Sequence, residues 1–132
     1  KLFETYDCIS RGQYSVLTQA LCLLCGAAEG KDLSRILPIL ATNGKENFGL
    51  TVYPSTLSMY CFRFDALLEI DKEKYAPVIL KEIDEDYFYM LRHDATTFWE
   101  RIIGAETIYD EVPSLCHGWS ALPIYYYELL NK

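Results

Sequence analysis

The sequence has no cluster of Lys or Arg, and its twelve basic residues stand against nineteen acidic ones, for a net charge of −7. No stretch of it can neutralise a row of phosphates, so nucleic acid and an anionic membrane surface are excluded as partners. Its longest apolar runs fall short of the roughly 20 residues that a spanning helix requires. A Gly-rich phosphate loop, an EF-hand loop and any tandem repeat are missing. No two-residue alternation of apolar and polar positions recurs, which removes the usual signature of a half-buried sheet. Cysteine is present but odd in number, five at irregular spacing and mostly in apolar surroundings. Small buried thiols in a reducing cytosol fit that pattern better than a disulfide framework. Neither an initiator Met nor a signal-type apolar region stands at Lys1, so a cut or processed N-terminus is expected.

What remains is an ordinary globular composition. With 132 residues, 51% hydrophobic and 23% charged, the chain is expected to form one helical domain, burying roughly two thirds of its unfolded surface. Eleven Tyr outnumber six Phe, a preference for aromatics with a polar tip that suits polar-ligand clefts and large helical cores alike.

Helical periodicity dominates. Residues 13–28 carry two apolar stripes, Tyr14, Leu17, Leu21, Leu24 and Ala28 on one and Val16, Ala20, Leu23 and Ala27 on the other. A helix with two such stripes is enclosed on most sides, as in the inner layer of a larger helical assembly. Gly30 and Lys31-Asp32 break it. A second helix is expected over 33–40, with Pro38 ending or kinking it. After a polar turn at 42–48, Pro54 is placed at the first position of a helix running through Leu57, Tyr60, Phe64 and Leu68. Asp71 is the expected N-cap of the next, which runs to about Leu91 with Pro77 in its first turns and a small break near Asp84. Gly104 to Pro113 reads as a loop, and Ser114 as the cap of a final helix that reaches Leu130 and tolerates Pro123. The fold class is therefore all-α, built of helical hairpins in two layers.

Two short segments carry the chemistry: Asp94-Ala-Thr-Thr-Phe-Trp-Glu100 and Ser114-Leu-Cys-His-Gly-Trp-Ser120. Both tryptophans of the chain lie in them, beside a carboxylate and an imidazole. An indole offers a flat apolar face and one donor, which suits a sugar ring. Glu100 and His117 supply acceptors, a donor and proton-transfer groups. Each residue also has a plain structural reading. Glu100 is a solvated or capping carboxylate, His117 a satisfied half-buried imidazole, Trp99 and Trp119 packing anchors, and Thr96 and Thr97 turn and cap residues.

Cys22-Leu-Leu-Cys25 has zinc-like spacing, with Cys116 and His117 available to complete four ligands. It lies in an apolar helix without a Gly or polar knuckle, so no metal or cofactor is expected. Cys116 beside His117 is set aside as a nucleophile and base, because adjacent side chains seldom orient toward one another. The run Lys81 to Asp86 reads as a solvated face.

Ala95-Thr-Thr-Phe-Trp-Glu100, followed by Ser114-Leu-Cys-His-Gly-Trp-Ser-Ala-Leu-Pro123, resembles the C-terminal part of the bacterial α-L-rhamnosidases and their relatives among the six-hairpin glycosidases. The Leu/Ala-rich helix from Tyr14 to Gly26 and the segment from Tyr53-Pro54 to Leu68 resemble preceding helices of that catalytic domain. The similarity spans about residues 10–130. It implies that the chain is the C-terminal part, a fragment, of an (α/α)6 toroid around a central sugar-binding cleft. It implies inverting hydrolysis, with one carboxylic acid protonating the leaving oxygen and a carboxylate about 6.5–9.5 Å away activating water. Glu100 matches the family's candidate general base; the general acid lies in a part this chain lacks. His117 and Trp119 match cleft-lining positions, and Trp99 supports the loop that holds Glu100. Relatives often carry Gly ahead of the Ala-Thr-Thr run, where this chain has Asp94, an additional cleft carboxylate or an altered turn. The implied partner is a carbohydrate, and the isolated chain is expected to be inactive. The alternative is a non-catalytic helical interaction or assembly module that self-associates through exposed apolar helix faces.

Overall fold

Among the described residues, four helices carry the architecture: α1 (Val16–Leu24), α2 (Leu33–Ala41), α3 (Tyr60–Arg92) and α4 (Pro123–Leu130), with single 3-10 turns at Gly30–Asp32, Leu57–Met59 and Gly118–Ser120. They are taken from a computed structural model that describes residues 1–5, 12–102 and 113–131. The expected loop at 104–113 therefore lies, except for Pro113, outside the described residues. Two-residue strands β1 (Tyr14–Ser15) and β2 (Val52–Tyr53) pair in parallel, Tyr14 opposite Val52 and Ser15 opposite Tyr53. The fold is all-α, and this bridge is a minor addition to it. The chain divides into two compact units, the first made of Lys1–Ser55 and Tyr60–Tyr75, the second of Thr56–Met59 and Ala76–Lys132.

In the first unit, α1 begins three residues later than periodicity implies, because Tyr14 and Ser15 are extended in β1. The Ser15 hydroxyl caps the helix by accepting from the Thr18 N–H at 3.1 Å. The helix stops at Leu24 rather than Ala28. Gly26, with φ +75, sits in the left-handed position after the cap. The Gly26 N–H reaches the Leu23 carbonyl at 3.0 Å, and the Ala27 N–H the Cys22 carbonyl at 2.8 Å. These two bonds satisfy carbonyls that an unterminated helix end would leave open. Of the two stripes, Val16, Ala20 and Leu23 are buried, joined by Gln19. Leu21 on the other is 43% exposed, so the expected enclosure on most sides does not hold within this chain. Gln19 is buried because its amide completes a backbone. It accepts from the Phe3 N–H at 2.9 Å and donates to the Phe3 carbonyl at 2.7 Å, tying the first residues to α1.

α2 buries Ile36, Ile39 and Leu40 and spans nearly the expected 33–40, continuing to Ala41, so Pro38 does not end it. The carbonyl that loses its donor to Pro38 belongs to Ser34, which is exposed, so water can satisfy it. Asn43 then holds the returning chain. Its Oδ1 accepts from the Ser55 N–H at 2.8 Å, and its Nδ2 donates to the Ser55 carbonyl at 3.2 Å and the Tyr60 hydroxyl at 3.3 Å. Gly44 is required beside it: φ is +82, and a Cβ there would meet Val16 Cγ2 at 3.1 Å. Pro54 does not open a helix. Its predecessor Tyr53 is extended in β2, as the residue before proline prefers, and α3 starts only at Tyr60. The fully buried Arg63 donates from Nη1 to the Leu40 carbonyl at 2.8 Å and lies over the Tyr60 and Phe64 rings.

Asp71 interrupts α3 with φ −160 and ψ 92, and its Oδ1 accepts from the Lys74 N–H at 3.0 Å. That is the N-cap geometry expected of it. No second break occurs at Asp84, and Pro77 lies inside the helix.

In the second unit, α3 buries Ile79, Ile83, Tyr87 and Met90, a stripe at helical spacing. The Leu57–Met59 turn packs against the Gly118–Ser120 turn. Ser114 caps no helix. Residues 114–117 are not helical and bend at Leu115, and Pro123 opens α4 instead of interrupting it, since a first-turn proline forfeits no hydrogen bond. Among the described residues, no helix is long and apolar enough to cross a membrane.

Candidate functional site

The two motif segments both fall in the second unit, and hydrogen bonds zip them together. The Glu100 N–H donates to the Ser114 carbonyl at 2.8 Å, and the Ser114 N–H donates to Glu100 Oε2, also at 2.8 Å. Further along, the His117 N–H donates to the Phe98 carbonyl at 2.7 Å. Thr97 Oγ1 donates to the Leu115 carbonyl. The pairing order, 98 with 117 and 100 with 114, makes the segments run past each other in opposite directions. Serine suits position 114 because its hydroxyl closes a local turn, accepting from the Cys116 N–H at 3.2 Å. The bond from Ser114 to the carboxylate is charge-assisted and roughly twice as strong as a neutral one. It fixes the Glu100 side chain through one oxygen.

The candidate residues occupy different settings on this frame. Glu100, His117 and Trp99 are half-buried. Trp119 sits in the middle of the 3-10 turn and is 76% exposed, so of the two indoles it offers the open face. Asp94 is exposed at the end of α3 with φ +55. The Asp94 N–H bonds the Leu91 carbonyl at 3.2 Å and the Ala95 N–H bonds the Met90 carbonyl at 3.1 Å, the same termination that Gly26 gives α1. A left-handed terminator favours glycine, and Asp is among the few other residues that adopt it. The structure therefore joins the Glu100 and His117 segments directly and places Trp119 two residues beyond. It puts Asp94 at a helix terminus six residues before Glu100.

Three contributors were not singled out as site residues by sequence reasoning. Ser114 and Thr97 act through the pairing just described. Tyr87 braces both segments at once. Its hydroxyl donates to the Ser120 carbonyl at 2.6 Å, on the turn that carries Trp119, and its ring meets Phe98 edge-on at 6.0 Å. In the sequence Tyr87 is one more member of the Ile83–Met90 stripe, and nothing there marks its hydroxyl as a strut. Burial, with the Asp86 charge behind it, pushes the Tyr87 phenol well above its ordinary value, so it remains a donor. Nearby, Tyr127 donates to Asp84 Oδ1, and that bond raises its phenol too. A cleft of about 360 Å³ runs between the end of α3, residues 95–98 and α4, but none of Asp94, Trp99, Glu100, His117 and Trp119 lines it. Among the described residues, no three His, Cys, Asp or Glu side chains come together as a metal site.

No family model matches this chain, and no curated protein sequence does. Among solved structures it is similar to the GH78 family rhamnosidase of Bacillus sp. GL1, with 31% identity and a TM-score of 0.65 over 87% of this chain. The chain spans only 12% of the length of that protein.

The Tyr87 brace has a pH signature. A phenol raised in the folded state contributes its full stability below its ordinary value of 10.0 and loses it as pH rises through the higher folded value. Tyr87→Phe is expected to cost about 1 kcal/mol at neutral pH, for one hydrogen bond. It should also flatten the fall in stability above about pH 10, as measured by urea denaturation at stepped pH. Parallel alkaline profiles for the two proteins would contradict the brace.

Proposed function

We propose that this chain is the C-terminal part of an (α/α)6 catalytic domain of an α-L-rhamnosidase-like glycoside hydrolase that inverts configuration. The observation that carries the proposal is the pairing of the two motif segments, which holds Glu100 and His117 on one hydrogen-bonded frame. The likeness to a GH78 rhamnosidase supports it over most of this chain's length.

Glu100 is the general base in this reading. Ser114 occupies its Oε2, and the carboxylate takes the proton of a water whose oxygen bonds the anomeric carbon. The bond from that carbon to the leaving oxygen breaks, and a carboxylic acid from the absent part of the domain protonates the leaving group. His117 and Trp119 line the sugar cleft, with Trp119 as the stacking face. Trp99 supports the loop and Asp94 contributes a carboxylate at the rim. The isolated chain, without the acid, is inactive. The free thiols of Cys22, Cys25 and Cys116 favour a reducing bacterial cytoplasm.

A carboxamide at position 100 keeps an acceptor for the Ser114 N–H but cannot take a proton. In the intact parent chain, Glu100→Gln should lower hydrolysis of an aryl α-L-rhamnoside by about 10²- to 10⁴-fold while leaving circular dichroism unchanged. Wild-type turnover in that variant would sink the assignment.

Exposed apolar side chains favour a second reading, an assembly module. In the second unit Phe88, Leu91, Ile124 and Tyr125 are 57%, 64%, 73% and 60% exposed. Surfaces of this kind associate with a partner or with each other. Sedimentation of the isolated chain across micromolar concentrations should reveal self-association, and a strictly monomeric species throughout would count against it.

A further inference from the structure

The cleft in the second unit belongs to none of the candidate sugar residues, yet it has the size and lining of a small-molecule site. Its volume of about 360 Å³ falls within the range of ligand pockets, and its lining includes the aromatic residues Tyr87, Phe88, Phe98 and Tyr127. Its polar character is one-sided. The Tyr127 hydroxyl gives its proton to Asp84, the Thr97 hydroxyl to the Leu115 carbonyl, and the Tyr87 hydroxyl to the Ser120 carbonyl. With those hydroxyl protons committed elsewhere, the charged group of the lining is the Asp84 carboxylate, which calls for a ligand that brings donors. A carboxylate offers about four acceptor sites, of which Tyr127 takes one. No Lys, Arg or His is among the lining residues. The nearby Arg92 guanidinium lies over the Phe88 ring at 5.2 Å, so that ring already attracts a cation.

We propose that this cleft binds a small aromatic amine, with its ring against Phe88, Phe98 and Tyr127 and its ammonium on the Asp84 carboxylate. Charge complementarity selects the amine: the lining carries one negative group and no positive one, on a chain of net charge −7. The site stands independently of the glycosidase reading, since it uses neither Glu100 nor His117.

The test is an amide-resonance titration of the full 132-residue chain with tryptamine, set beside its acidic counterpart indole-3-propionate. Tryptamine should produce saturable shifts confined to residues 83–98 and α4. Indole-3-propionate should bind at least about tenfold more weakly. Asp84→Asn keeps an acceptor for Tyr127 but removes the charge, and should weaken tryptamine by about tenfold. Tyr127→Phe releases the carboxylate from its internal donor, and should bind tryptamine at least as tightly as the wild type. Equal affinity for amine and acid, shifts scattered over the chain, or an unaffected Asp84→Asn would each overturn the proposal. Should Asp84→Asn fail to give a dispersed spectrum, the amine–acid comparison on the wild-type chain decides alone.

Discussion

Everything at the candidate site depends on the reciprocal bonding of Glu100 and Ser114. One residue supplies an N–H and a carboxylate, the other a carbonyl and an N–H, and the two bonds close at 2.8 Å each. A carboxylate held this way does not wander among rotamers, and its remaining oxygen has a defined position. The same pairing carries His117 and, two residues on, the turn that presents Trp119. The segments are short and irregular, and neither would hold its shape alone. Their order comes from bonding to each other and from Tyr87 behind them.

That support has a clear division of labour. α3 supplies a buried stripe that fixes its own position, and one member of the stripe, Tyr87, extends a hydroxyl into the Ser120 carbonyl. At the end of α3 the Asp94 terminator turns the chain into the motif loop. A glycine would adopt that left-handed conformation at less cost, which gives a physical reason for the glycine that the resembling family often carries there. Asp94 thus has a backbone duty whether or not its carboxylate meets a ligand.

The sequence revealed what periodicity and side-chain chemistry control. Among the described residues, helical spacing located α1, α2 and α3 and the end of α4, and Asp71 was legible as an N-cap because a carboxylate ahead of an amphipathic run has one favoured use. The pairing of the two motifs was foreshadowed by their composition. Helix ends were less legible. α1 lost its first turn to a two-residue strand whose partner lies almost forty positions away, a contact that no local pattern encodes. Pro38 ends no helix and Pro54 opens none, for different reasons: one is tolerated where the orphaned carbonyl is exposed, the other follows a residue held extended in β2. Ser114 resembled a helix cap because caps and tight turns draw on the same hydroxyl chemistry, and only the bond to Glu100 separates the two. Tyr87 was invisible as a strut, since its hydroxyl acts at the far end of a side chain otherwise indistinguishable from core.

Residue-resolved amide hydrogen exchange, on the chain and on Glu100→Ala, tests the central pairing most directly. The account predicts that the amides of Glu100, Ser114 and His117 exchange more slowly than an unstructured peptide. It predicts further that Glu100→Ala exposes the Ser114 amide while the residue 100 and His117 amides, bonded to backbone carbonyls, retain protection. Peptide-like exchange at all three positions in the unaltered chain, or a Ser114 amide indifferent to loss of the carboxylate, would contradict it.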